Sequence, residues 1–118
     1  MIDYYKIVAA LFTEDHFALR CLIQDALDSI PDISDWPEPT NKDPLQKAAL
    51  AAITDLLASY RGQMAPAWTA TVEPLQEPHY LMSSLSGMKN LRLLCETQSP
   101  EQLRRKGFLA PPGFLQFA

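Results

Sequence analysis

The sequence is short of the residues from which most recognisable chemistries are assembled, holding two cysteines, four glycines and two histidines in 118 residues. Cys21 and Cys95 cannot build a disulfide framework, and in a chain expected to be cytoplasmic they read as two reduced, buried thiols. Four isolated glycines cannot compose a G-x-G-x-x-G turn or a P-loop, where glycine lets backbone N–H groups approach phosphates. Ser83, Ser84 and Ser86 precede Gly87, but no G-x-S-x-G elbow follows a strand. The longest apolar runs fall far short of the roughly 20 residues of a membrane span. No basic segment followed by an apolar stretch opens the chain, so Met1 is expected to begin a mature cytoplasmic protein. Clustered base is scarce too: Arg104, Arg105 and Lys106 form the one basic run. With a net charge of −4 and a pI near 5.0, this argues against non-specific nucleic-acid binding, which depends on clustered Lys and Arg.

What is present is ordinary globular material. Apolar residues make up 47% and charged residues 20%, which fits neither collagen, coiled coil nor disorder. At this length folding hides about two-thirds of the chain's surface, enough for one real core. The charge is lopsided: residues 1–59 carry ten acids against four bases, and residues 60–118 carry four acids against six bases. Such asymmetry favours head-to-tail docking of like chains, or of the chain's own halves.

Tyr4, Ile7, Val8 and Leu11 recur at spacings of three and four, which predicts a first helix over residues 2–12. Thr13 is expected to cap a second helix, with Glu14 and Asp15 in its positive first turn and Phe12 stapled to Phe17. That helix runs to about Ser29 on the stripe Leu19, Leu22, Ile23, Ala26, Leu27, Ile30, and Pro31 ends it. Residues 31–43 hold three prolines and three aspartates and read as a loop anchored by Trp36. Asp43, Pro44 and Gln46 then predict a cap, a first-turn proline and a capping-box partner. The stripe from Leu45 to Tyr60 and the stop at Gly62 make this third helix the expected centre of the core. Pro66, Pro74 and Pro78 interrupt residues 63–86, which read as irregular, with Trp68–Val72 their one β-prone run. A fourth helix is expected from about Met88 to Glu96, with Met88, Leu91, Leu94 and Cys95 on one face. Ser99, Pro100 and Gln102 open a short fifth, which Gly107 closes. The tail from Phe108 to Ala118 is apolar throughout. There is no internal repeat.

No set of residues converges on a chemistry. His16 and Cys21 stand five apart on one helix, about 140° around its axis, and cannot share a metal ion unaided. A solvated first-turn side chain is the simpler reading of His16. Cys21 and Cys95 read as small core residues rather than exposed thiolates. Asp25, Asp28, Asp32 and Asp35 could face a basic partner, but a solvated face with Asx turns explains them as well. Cations at Arg104, Arg105 and Lys106 are also what a helix C-terminus attracts. Trp36, before Pro37, and Trp68, two residues after Pro66, are lids on the core or grips for a partner.

The expectation is therefore an all-α single domain over residues 1–118. It has four or five helices, the first three antiparallel and the Pro-rich C-terminal half wrapped around them. The expected function is a non-enzymatic interaction or assembly module, most simply a homodimer, with no cofactor and no metal. Its partner-binding candidates are Arg104, Arg105, Lys106, Phe108, Phe114, Phe117, Trp36 and Trp68, because so many apolar tail residues would form an interface-like patch if exposed. One alternative is a small regulatory factor, antitoxin-like or defence-associated, contacting a partner protein or nucleic acid through the basic run. The other is an enzyme with Glu77, His79 and Tyr80 lining a pocket, which would need His79 to face a carboxylate across a cleft.

Overall fold

The computed structural model describes residues 2–81, 89–110 and 114–115, with side chains throughout except at 89–92 and 94. Helix α1 (Tyr4–Phe12) is capped by Asp3, whose carboxylate accepts from Lys6 N at 3.1 Å, and it buries Tyr4, Ile7, Val8, Ala10 and Leu11. Its end departs from the sequence expectation. The Thr13 hydroxyl is turned back to Ala9 O at 2.7 Å, and Glu14 adopts a left-handed φ of 58°. Glu14 N donates to Leu11 O and Asp15 N to Ala10 O, so the helix closes in a Schellman motif. A left-handed residue cannot lie inside a helix, and α2 (His16–Ser29) therefore starts two residues later than expected. Asp15, not Thr13, is its cap and accepts from Ala18 N at 3.1 Å. The staple expected between Phe12 and Phe17 goes with the shift, because staple positions for a cap at Asp15 are Glu14 and Leu19.

Helix α2 turns Leu19, Ile23, Ala26 and Leu27 inward. The proline-rich stretch after it is packed down rather than loose. Asp32 caps a 3-10 turn (Ile33–Asp35), Ile33 is buried, and the buried Trp36 donates its indole N–H to Ile30 O at 2.9 Å. Asp43 then caps α3 (Pro44–Tyr60) by accepting from Leu45 N at 2.8 Å, with Pro44 in the first turn. Gln46 does not complete a capping box; its carbonyl oxygen accepts from Asn41 Nδ2 at 2.9 Å. Residues 48–54 and 56–58 are all buried, so the middle of α3 is enclosed around most of its circumference, and it packs against α1, α4, α6 and the 3-10 turn. Gly62, at φ +64°, ends it as expected, donating to Ser59 O while Gln63 N donates to Ala58 O.

The stretch left irregular by sequence contains a short helix α4 (Ala67–Thr71), where the β-prone run was read. Local bonds hold that turn: Thr69 Oγ1 donates to Pro66 O and Thr71 Oγ1 to Trp68 O, while Trp68 Nε1 is pinned to Trp36 O at 2.9 Å. Beyond it, β1 (His79–Tyr80) pairs in parallel with β2 (Phe108–Leu109), His79 opposite Phe108 and Tyr80 opposite Leu109. Helices α5 (Lys89–Gln98) and α6 (Glu101–Arg104) lie between these two strands in the chain. Ser99 does not cap α6. Its hydroxyl bonds Cys95 O and Ala110 O and accepts from Ala110 N, tying the end of α5 to the tail. On α5 Cys95 is buried; Met88 and the side chains of Leu91 and Leu94 lie outside the described residues, as do Ser83, Ser84, Ser86 and Gly87. The architecture is the small all-α domain expected, with six α-helices among the described residues and one two-residue strand pair as its β component.

The described residues of the apolar tail find shelter on this same chain. Phe108 and Ala110 are fully buried, Phe114 and Leu115 nearly so, and Tyr60 donates its hydroxyl to Phe114 O at 2.8 Å. Among the described residues no helix is long and apolar enough to cross a membrane.

Candidate functional site

A cleft of about 730 Å³ lies where the C-terminal half of α3 meets α4 and α6. Helix α3 brings Asp55 and Ser59 to it one turn apart, Gln63 follows the Gly62 stop, and α6 and its end contribute Gln102, Arg105 and Lys106; Ala, Pro and Thr residues of 58–70 complete the wall. Gln63 is already committed, its amide accepting from Ile33 N and donating to Pro31 O. Lys106 is buried although charged, and its ammonium donates to Val72 O at 2.5 Å. Arg104 and Arg105 are exposed. Of the expected basic run, then, Arg105 and Lys106 share a cleft, and Arg104 does not line it.

The remaining candidates are scattered. Trp36 is buried and Trp68 half-buried; Trp68 also meets Tyr4 edge-on at 6.2 Å. Both are lids on the core, joined by the Trp68–Trp36 hydrogen bond. Phe108 and Phe114 lie in the core and are not available as surface contacts: Phe108 is paired opposite His79 of β1, and the Phe114 carbonyl accepts from Tyr60 of α3. Phe117 lies outside the described residues. His79 is half-buried, with Phe12 edge-on at 5.8 Å and Phe108 at 5.9 Å. Glu77 is exposed, and Tyr80 donates its hydroxyl to Glu96 Oε1 at 2.6 Å. Neither Glu77, His79 nor Tyr80 lines this cleft or the two described below. Among the described residues no three His, Cys, Asp or Glu side chains converge as metal ligands would.

The two thiols differ from expectation in one respect. Cys95 is buried, and desolvation followed by the neighbouring Glu96 charge pushes its thiol up, which suits an inert core residue. Cys21 is exposed. It stands two residues from Leu19, about 200° around α2 from the buried stripe, and Phe17 occupies the same outward face four residues earlier. Phe17 is 79% exposed. A shallow groove of about 490 Å³ runs between α1 and α2, lined by Ala9, Ala10, Ala18, Cys21 and Leu22, with Lys6 and Asp15 as its charged residues. The sequence reading missed this face, although the same angular count applied to Phe17 and Cys21 locates it. A further cleft of about 550 Å³ beside Tyr4 and Tyr5 is framed by Pro37, Glu38 and Thr40, and burial pushes the Tyr4 hydroxyl well up while it donates to Pro37 O at 2.6 Å.

No family model, no curated protein and no solved structure matches this chain.

Proposed function

We propose that this protein is a non-enzymatic assembly module that pairs with a second copy of itself through the face formed by α1 and α2. The observation that carries the reading is Phe17, a large aromatic with 79% of its surface exposed on α2, on the helix face whose Cys21 lines an apolar groove. Exposed aromatics next to apolar concavities are features of interfaces. The occupant follows from charge. Lys6 stands seven residues before Thr13, about 10 Å down the α1 axis, whereas Asp15 lies at the α1–α2 junction. Lys6 and Asp15 both line the groove, and Lys6 also lies 4.0 Å from the exposed Asp3 carboxylate on its own helix. A two-fold pairing sets Lys6 of each copy against Asp15 of the other and makes the patch self-complementary. The free thiols fit a reducing compartment such as the cytoplasm.

The solution mass tests this. Light scattering on the pure full chain is expected to give twice 13.2 kDa. Phe17→Glu is expected to return the monomer mass with an unchanged unfolding transition, since the side chain is not part of the core. Mild diamide treatment is expected to cross-link the wild type through Cys21, because Cys95 is buried. A monomer at every concentration, without cross-linking, overturns the proposal.

A second reading, a small regulatory factor that contacts a partner through the basic run, draws its support from Arg104 and Arg105, both exposed. It calls for salt-dependent binding to DNA, RNA or an acidic protein that is lost when both arginines become alanine.

A further inference from the structure

We infer that the cleft between α3, α4 and α6 binds a small acidic zwitterion, a molecule with two anionic groups and one ammonium group, of which an acidic amino acid is the simplest. The inference rests on three charged residues that line the cleft, Lys106, Arg105 and Asp55, none of which has an ion-pair partner among the described residues. Lys106 is more than nine-tenths buried, yet its ammonium has one acceptor, Val72 O at 2.5 Å. Among the described residues no carboxylate lies within ion-pair reach of it. An ammonium carries three donors, and a buried cation without a counter-ion is unfavourable. Lys106 lines the cleft, so an anion entering it meets a cation that has no counter-ion among the described residues. Arg105, exposed on the same wall and also without an ion pair among the described residues, presents the planar fork that grips a carboxylate or phosphate in two places.

The facing wall narrows the class of ligand. Asp55 lines the cleft from α3 and, among the described residues, forms no ion pair. It repels a bare phosphate and attracts an ammonium. Two cations and one anion are matched by a ligand with the reverse pattern, and Ser59 and Gln102 add uncharged hydrogen-bonding groups on the same lining. A volume of about 730 Å³ lies within the usual range of small-molecule sites. The site is on α3, α4 and α6, so it stands or falls independently of the α1–α2 face.

Chemical-shift perturbation on the isotopically labelled full chain tests the assignment, with L-glutamate, inorganic phosphate and L-lysine as probes. L-Glutamate is expected to give saturable shifts at the amides of Asp55, Ser59, Gln102, Arg105 and Lys106, and L-lysine none. Arg105→Ala removes an exposed head group and leaves the fold intact, and it is expected to weaken L-glutamate by roughly tenfold or more. Asp55→Asn is expected to weaken L-glutamate and to strengthen phosphate. The inference is overturned by the absence of saturable shifts, by shifts that map elsewhere, or by L-glutamate binding that survives Arg105→Ala unchanged. Phosphate binding as tight as L-glutamate in the wild type overturns the zwitterion assignment.

Discussion

Gly62 and Gly107 both hold positive φ, at +64° and +91°, but their surroundings differ. A Cβ at Gly62 meets nothing within 4 Å, whereas at Gly107 it comes to 2.9 Å from Leu75 Cβ and 3.3 Å from the Leu75 backbone. Gly62→Ala is accordingly expected to cost about 1 kcal/mol from the left-handed backbone alone. Gly107→Ala is expected to cost about 3 kcal/mol, because overpacking adds to the strain and parts Leu75 from Lys106, whose carbonyl accepts from Leu75 N. Urea denaturation of the two variants checks the difference, and equal losses would show that the Leu75 contact yields freely. Both glycines were legible in the sequence as helix stops. The crowding at Gly107 was not, since Leu75 is 32 residues away along the chain and arrives through the parallel pairing. Ser99 shows the same limit: its place before Pro100 reads as a cap, but its hydroxyl is taken by Cys95 and Ala110.

At the scale of elements, α3 was the most readable because everything that starts and stops it is local. Asp43, Pro44 and Gly62 act within a turn of the positions they define. The α1–α2 junction was less so, since Thr13, Glu14 and Asp15 offer two competing caps and the choice depends on where the chain turns left-handed. With Asp15 as the cap, Asp15→Ala is expected to lower stability by about 1 kcal/mol. Thr13→Ala is expected to cost distinctly less, because its hydroxyl accepts no helix N–H and donates to a carbonyl of the preceding turn. Thermal or urea unfolding of the pair checks the order, and the reverse order would restore the cap to Thr13. Helix α4 was hidden for a different reason. Trp68, Thr69 and Thr71 favour strand by intrinsic preference, and the pull of Trp36 O on the Trp68 indole outweighs it.

For the whole molecule the decisive feature is the seat of the C-terminal segment. Phe108, Ala110, Phe114 and Leu115 are core residues, and losing one buried phenylalanine side chain costs roughly 3–5 kcal/mol against a typical total stability of 5–15. Deleting residues 108–118 is therefore expected to abolish the cooperative unfolding transition, as followed by circular dichroism in urea. A truncated chain that unfolds cooperatively with near wild-type stability would mean that the segment merely rests on the surface. The candidate sites follow the same logic of scale. The Arg104–Lys106 run stands out in the sequence, but its union with Asp55 in one cleft joins elements some 50 residues apart, and its division into lining and non-lining members is set by the turn after α6. What the sequence alone determined was the helical class, the central helix with its cap and stop, and the presence of more apolar surface near the C-terminus than water tolerates, since periodicity and capping act over one or two turns. What tertiary structure alone decided was where that surface is hidden, which charges are left unpaired, and that Phe108 is core while Phe17 is not, because burial is settled by segments that meet only after the chain has folded.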